Sequence, residues 1–123
     1  MTLPFVTRRL VIAQHKIDYR KQWNGLLAEC YRMGFDPYAG DCVVFLKRDR
    51  TQLRALAGDE LGLFLVSRRF DGGRLSIGWD FVDSPTTKTI SSEDLALLLA
   101  GVAVTIRRVK AVKLGLSSGP PPR

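Results

Sequence analysis

The chain has 123 residues, 46% of them hydrophobic, and its 19 lysines and arginines against 12 acidic residues give a net charge of +7. A chain of this length forms one domain and buries roughly two thirds of its unfolded surface. Its longest apolar stretch, around 95–104, is shorter than the roughly 20 residues of a membrane helix, and the apolar run at 1–6 is too short for a signal peptide. We therefore expect a cytoplasmic globular domain without membrane association. Its positive charge favours an acidic partner, most often nucleic acid.

The first predicted elements are a strand and a helix. The apolar run at 10–13 is typical of a short strand. Asp18 suits the N-cap of a helix, and Gly34 suits a left-handed stop at its end. Between them, five apolar side chains recur at helical spacing on one face: Trp23, Leu26, Leu27, Cys30 and Met33. The sequence thus predicts a helix over 18–33, with Arg20 and Lys21 in its first turn.

A series of strands follows the predicted helix. The segment 36–40 has turn chemistry, with a proline and a glycine at its corners. Strands are predicted at 42–46, 52–57 and 61–69, and the alternation of apolar residues over 75–81 predicts another. The short connections between them indicate an antiparallel meander.

The C-terminal third contains one clear helix signal. Ser91 and Asp94 have the spacing of a capping box, and the helix that they open ends at Gly101. Residues 102–114 fit a helix or a strand, and 115–123 read as a flexible proline-rich tail. The predicted fold class is α+β: an antiparallel β-meander of four to five strands with one N-terminal and one C-terminal helix, in a single domain over 1–114.

Catalytic and metal-binding patterns are lacking in the sequence. His15 is the only histidine; we expect it in a surface loop, with Asp18 as its only nearby orienting partner. Cys30 and Cys42 lie in apolar runs of a predicted helix and a predicted strand, so we expect buried reduced thiols in preference to a disulfide. Two cysteines and one histidine cannot fill a four-ligand zinc site without carboxylates. No nucleophile elbow, P-loop or dinucleotide fingerprint occurs. These observations predict a protein that is not an enzyme, with no cofactor, no metal and no catalytic residues.

Basic residues instead gather near turns. In an up-and-down meander, the turns at 47–51 and 71–74 fall at the same edge of the sheet, where their side chains would form one basic rim able to contact phosphates. The alternative is that exposed turns simply carry charge. The candidate nucleic-acid-binding residues are Arg20, Lys21, Lys47, Arg48, Arg50, Arg54, Arg68, Arg69, Arg74, Arg107 and Arg108. The last two belong to a basic run at 105–113 that would meet phosphates as a helix, or guard against aggregation as an edge strand.

These pieces, in their order, resemble the small accessory protein encoded by the second reading frame of the insertion-sequence sixty-six type of bacterial transposon. The most specific match is the arrangement of Asp18-Tyr19-Arg20-Lys21 and Asp36-Pro37-Tyr38-Ala39-Gly40, and the resemblance spans roughly residues 10–104. Signature positions carried over from the family are Asp18, Arg20, Lys21, Asp36, Pro37, Gly40 and Arg48. The chain departs from the pattern at 53–59, where the family commonly has a tryptophan-rich strand.

The resemblance implies an accessory factor of DNA transposition that accompanies a separate DDE-type transposase. Together with the basic rim, it predicts a non-enzymatic protein that contacts DNA phosphates, the transposase, or both. Two alternatives remain open: a protein–protein adaptor without DNA contact, and a small toxin-type ribonuclease that would depend on His15 or on a cluster arginine.

Overall fold

The structure, a computed structural model, describes residues 5–100 and the backbone of 105–109. It is an α+β fold, as predicted. In chain order the elements are β1 Arg9–Ala13, α1 Trp23–Arg32, a 3₁₀ turn Pro37–Ala39, β2 Asp41–Leu46, β3 Gln52–Asp59, β4 Gly62–Arg69, β5 Thr87–Thr89, α2 Ser92–Leu98 and β6 Thr105–Val109. The strands form one six-stranded sheet in the order β5-β1-β2-β3-β4-β6.

The sheet is mixed. β2, β3 and β4 form the predicted antiparallel meander, and β6 pairs antiparallel with β4. β1 instead pairs parallel with β2, with Leu10 opposite Cys42, so that β1, α1 and β2 form a βαβ unit that the predicted meander did not include. Parallel pairing places the carboxyl ends of β1 and β2 at one edge of the sheet, where ligand sites of α/β sheets commonly lie.

The sheet is covered on both faces. On one face, α1 places Leu26 and Cys30 against Val43 and Phe45 of β2. On the other, Leu95 of α2 and the segment 75–81 pack on a cluster of alternate strand residues that includes Leu10, Ile12, Cys42, Val44, Leu46 and Leu53. β2 is buried at every position. This explains why it reads as an unbroken apolar run, the pattern of a central strand with both faces covered.

The first helix starts later than predicted. Its N-cap is Gln22, without a side-chain cap, so Arg20 and Lys21 precede the helix and do not lie in its first turn. Asp18 accepts hydrogen bonds from the backbone N–H of Arg20 (3.0 Å) and from its guanidinium. The side chain therefore closes a local turn instead of capping the helix. The predicted end is confirmed: Gly34 has φ +85°, and Phe35 donates to the carbonyl of Cys30 (2.9 Å) in a Schellman arrangement.

The predicted strand at 75–81 is wrong. The segment is irregular in backbone, yet Leu75, Ile77, Trp79 and Phe81 are partly buried while the residues between them are exposed. The segment lies across the face of the sheet and packs on its core cluster. Alternation of apolar and polar residues shows that one side of an extended chain is buried. It does not distinguish a hydrogen-bonded strand from a segment that lies on the face of a sheet.

The turn at 36–40 is confirmed, and it leads into a buried carboxylate. Asp41, fully buried, accepts paired hydrogen bonds from Arg8 (3.0 and 2.9 Å) and from Arg9 (3.0 and 2.7 Å). It also accepts from the backbone N–H of Asp36 (2.8 Å). Burial opposes ionisation of Asp41, but the hydrogen bonds from Arg9 and Arg8 outweigh it and hold its pKa below the ordinary value. This network ties the start of β1 to the start of β2.

Two further expectations concern the ends and the cysteines. Residues 105–109 form a strand, so the strand alternative holds for this part of the segment 102–114. The predicted tail at 115–123 lies outside the described residues. Cys30 and Cys42 are buried free thiols, as predicted. Within the described residues, neither helix is long and apolar enough to cross a bilayer.

Candidate nucleic-acid interface

The basic turns meet at the edge where β1 and β2 end. Lys16 follows β1 closely, and Lys47 and Arg48 follow β2 directly. The turn after β2 is closed by a hydrogen bond from the Arg50 N–H to the carbonyl of Lys47 (2.8 Å). The Leu75 N–H then donates to the carbonyl of Arg50 (2.8 Å), which holds the start of the segment 75–81 against this turn.

We call this edge the cationic rim and define it by seven side chains. Six of them line three adjoining clefts, and the seventh, Arg74, lies near Asp49, which lines one of these clefts. The seven side chains are Lys16, Arg20, Lys47, Arg48, Arg50, Arg69 and Arg74. Four carboxylates lie among them: Asp18, Asp49, Asp71 and Asp80. Seven cations against four carboxylates leave a net charge of +3 at one end of the sheet.

The carboxylates engage only part of the rim. Arg20 pairs with Asp18 (2.8 Å), and Arg69 lies 3.7 Å from Asp71. The hydrogen bonds from Thr51 lower the pKa of Asp49, and the positive charges of Lys47 and Arg74 lower it further, so Asp49 stays ionised between them. These pairs are exposed, and exposed ion pairs are weakened by solvent and salt and contribute little to stability. A phosphate can therefore compete for their cations.

Three rim cations carry no such partner. Lys16, Arg48 and Arg50 make no hydrogen bond or ion pair through their side chains with any residue that the structure describes. All three line one cleft of about 280 Å³, with Asp80 and the apolar side chains of Ile77, Trp79 and Phe81 as its other walls. We call it the rim cleft. Concentrated, unneutralised cations beside a groove are the arrangement that attracts a polyanion.

Arg50 also has an unusual backbone. Its φ of +61° makes it the only non-glycine residue in the left-handed region among the described residues. This conformation costs an ordinary residue roughly 1 kcal/mol or more, and it usually selects glycine or asparagine. A guanidinium thus occupies a turn position where a smaller residue would be less strained. Such strain points to a role beyond folding.

Several predicted contact residues are engaged elsewhere. Arg54 donates to the carbonyl of Lys21 (2.7 Å), and its guanidinium lies 4.1 Å from the ring centre of Tyr19. Arg68 donates to the carbonyl of Leu98 at the end of α2 (2.7 Å), where a cation complements the helix dipole. Lys21 lies 3.8 Å from the buried Glu29. These side chains fasten loops and helices to the sheet, so we leave them out of the rim.

The basic strand β6 lies far from the rim. Arg108 is opposite Leu63 near the start of β4, and Arg107 sits at a register shift beside it. The rim is at the other end of β4, roughly 20 Å along the strand. The structure therefore does not bring Arg107 and Arg108 together with the other predicted cations.

His15 is placed differently from the prediction. It is only 6% exposed, and its Nε2 lies 3.4 Å from Oε1 of the buried Glu29. Glu29 in turn accepts a hydrogen bond from Arg32 (2.6 Å). The prediction of a surface loop histidine near Asp18 is thus wrong, because the loop after β1 turns inward and pairs His15 with Val82. Tyr19, four residues on, is also partly buried, and burial raises its pKa to about 12.

The signature residues of the resemblance form turns. Asp36 caps the 3₁₀ turn by accepting from the Tyr38 N–H (3.0 Å), Pro37 is buried within it, and Gly40 ends it at φ +101°. Asp18 and Arg20 pair with each other. Of the signature residues, Arg48 alone reaches the rim cleft.

Sequence reasoning missed Lys16 and the aromatic wall of the rim cleft. Lys16 is recognisable only once β1 is known to run parallel to β2, since the register that places Ile12 opposite Val44 then sets Lys16 level with Arg48. A strand–helix–strand order over 10–46 was available as a signal for this pairing. Trp79 belongs to the alternation over 75–81 from which a strand was predicted, and nothing in that alternation showed that its side chain would line a cleft.

The fold and this edge define a small α+β protein that gathers cations where two parallel strands end. The chain belongs to the family of IS66 Orf2-like proteins, since the profile of that family matches residues 8–110. It is also similar to "Uncharacterized protein y4jC" of Sinorhizobium fredii (strain NBRC 101917 / NGR234), which is 30% identical over 109 residues, covering 85% of this chain and 88% of that protein. No solved structure matches the chain. Family membership confirms the resemblance and implies a transposition accessory protein.

Proposed function

We propose that this protein is a non-enzymatic accessory factor of DNA transposition that binds DNA phosphates through the cationic rim. The observation that carries the proposal is the convergence of Lys16, from the connection after β1, with Arg48 and Arg50, from the turn after β2, into one cleft without a carboxylate partner among the described residues. Family membership supplies the setting, because a transposition factor works beside DNA in the cytoplasm.

The rim favours contact with the backbone of DNA over reading of its bases. Lysine and arginine at turns reach phosphate oxygens, whereas base-edge recognition in duplex DNA usually relies on a helix or ribbon seated in the major groove. Both helices pack on the faces of the sheet and not at the rim. We expect binding that depends weakly on sequence and strongly on salt.

The absence of a catalytic role is part of the proposal. His15 is buried against Glu29 and is not among the residues that line the rim cleft, and Glu29 is itself paired with Lys21 and Arg32. A histidine in this setting stabilises the fold and is not positioned to transfer a proton to an external substrate. A toxin-type ribonuclease would need such access.

Binding to the terminal repeats of the element tests the proposal. Fluorescence anisotropy with a terminal-repeat duplex and with a scrambled duplex, across 20–300 mM salt (roughly the range in which counterion release is resolved), should give similar affinities and a steep loss with salt. Absence of binding to either duplex at low ionic strength would contradict the proposal, and so would binding that does not respond to salt.

A second candidate function is that of an adaptor for a DDE-type transposase. It is favoured by the four carboxylates among the rim cations, because a protein partner with both charges would complement such a surface better than uniform phosphate does. Co-purification with the transposase after nuclease treatment separates the two. Retention of the transposase without DNA supports the adaptor, whereas loss on nuclease treatment supports DNA contact.

A further inference from the structure

We infer that the rim cleft binds an unpaired nucleotide, so that single-stranded DNA places a base inside the cleft, whereas duplex DNA contacts the rim cations through its phosphates alone. The inference rests on the proposed function, and it names the form of DNA that the cleft accepts. Its basis is the combination of cations, an aromatic ring and one acidic side chain within about 280 Å³.

The aromatic wall suits a base. Trp79 and Phe81 contact edge to face, with ring centres 5.8 Å apart and planes at 89°. Trp79 is partly buried against the core cluster, and it lines the rim cleft on one side and a neighbouring, more apolar cleft on the other. Stacking on such a ring contributes about 1–3 kcal/mol per base and requires that the base leave its own stack. A base inside a duplex is not available to a cleft of this size.

The cations suit the backbone on either side of the base. Lys16 and Arg48 line both the rim cleft and a second cleft of about 490 Å³, which extends past Tyr19 to Arg20 and Lys47. A strand that passes from one cleft to the other would place its phosphates beside the positive side chains of both clefts, among which Asp18 is paired with Arg20. Aromatic stacking combined with a cationic groove is the usual design of single-strand binding sites.

Asp80 suits the hydrogen-bonding edge of the base. A carboxylate repels phosphate, so it does not belong in a cleft built for phosphate alone. It accepts hydrogen bonds, and cytosine offers an exocyclic amine that carboxylates commonly recognise, whereas thymine does not. Asp80 makes no ion pair with the described residues and is exposed, so it is free to accept. The cleft should thus prefer deoxycytidine to thymidine.

Fluorescence provides a direct readout. The chain has two tryptophans, and Trp23 packs on the opposite face of the sheet. In a Trp23→Phe variant, Trp79 is the only tryptophan, and titration with a short oligo(dC) should quench its emission, while the same concentration of duplex should leave it nearly unchanged. Quenching that is equal for single strand and duplex would overturn the inference.

Substitutions complete the test. Trp79→Ala should weaken oligo(dC) binding by about 10-fold and duplex binding by less than about 2-fold, and Trp79→Phe should restore most of the loss by keeping a ring. Asp80→Asn should abolish the preference for oligo(dC) over oligo(dT). Circular dichroism shows whether Trp79→Ala has unfolded. If it has, the inference is judged from the quenching of Trp79 fluorescence and from the affinity of Trp79→Phe for oligo(dC).

The outcomes separate the inference from the proposed function. Binding of duplex with loss in Arg48→Ala, but without Trp79 quenching, retains the proposed function and refutes the cleft as a nucleotide site. Tighter binding of an oligonucleotide of RNA than of DNA would refute single-stranded DNA as the ligand. Failure of both single strand and duplex to bind at low salt would refute both.

Discussion

Replacing Arg50 with glycine should change stability and DNA binding in opposite directions. Arg50 occupies a turn with φ +61°, and only its backbone carbonyl and N–H make hydrogen bonds with described residues. Glycine adopts this conformation without strain and keeps both backbone bonds. It removes one of the three unpartnered cations of the rim cleft.

The magnitude follows from the backbone. Relief of left-handed strain yields roughly 1–2 kcal/mol, and the greater flexibility of unfolded glycine offsets about 0.5–1 kcal/mol of it. Arg50→Gly should therefore raise the free energy of unfolding by up to about 1 kcal/mol, or Tm by up to about 4 °C for a chain of this size. The slope of log affinity against log salt should fall by about one unit.

Two control variants separate charge from strain. Arg50→Ala removes the charge and keeps the strained backbone, so it should match glycine in the salt slope and be about 1 kcal/mol less stable than the glycine variant in urea unfolding. Arg50→Lys keeps both the positive charge and the strained backbone, so it should resemble the natural chain in salt slope and in stability. If the glycine variant were less stable than the alanine variant, the reasoning from backbone strain would be refuted.

Three further predictions concern the fold. Asp41→Asn leaves Arg8 and Arg9 without their counter-charge and should lower the free energy of unfolding by about 2–3 kcal/mol in urea. Because the folded pKa of Asp41 lies below its unfolded value near 4, its contribution is present above that value and is lost as pH falls through the folded pKa, so the difference in stability between the natural chain and Asp41→Asn should shrink as pH falls below about 4. Burial raises the pKa of Cys30 to about 12, so both thiols should resist a thiol reagent at pH 8 until urea unfolds the chain; rapid labelling of the native protein would contradict this. Gly58→Ala places a Cβ 2.5 Å from the carbonyl oxygen of Gly62 and should cost about 1–3 kcal/mol, whereas Gly73→Ala, with open space around it, should not.

Local patterns in the sequence predicted most elements because their causes are local. The apolar stripe over 23–33 and Gly34 specify α1 and its end, and the run at 42–46 specifies a central strand. Ser91 caps α2 by accepting from the Asp94 N–H (3.1 Å), as its spacing indicated. The basic turns were expected at one edge because short connections between strands fix antiparallel pairing.

The remaining features depend on contacts between distant residues. The parallel pairing of β1 with β2 is held by Arg8, Arg9 and Asp41, whose charges look ordinary in the sequence. His15 is buried because its Nε2 finds a hydrogen-bonding partner in Oε1 of Glu29, fourteen residues later in the chain. The segment 75–81 is not part of the sheet, because β6 pairs with the edge of β4 at which this segment was expected. Such competition for one edge has no signature in any single segment.

The salt dependence of DNA binding in an Arg48→Ala variant tests the central claim most directly. Arg48 is exposed and lines the rim cleft and the second cleft beside it, so alanine should reduce the slope of log affinity against log salt by about one unit without lowering Tm. Lys88→Ala, which removes an exposed cation from β5 outside the rim, should leave the slope unchanged. Equal slopes for the natural chain and Arg48→Ala would show that the rim does not bind DNA.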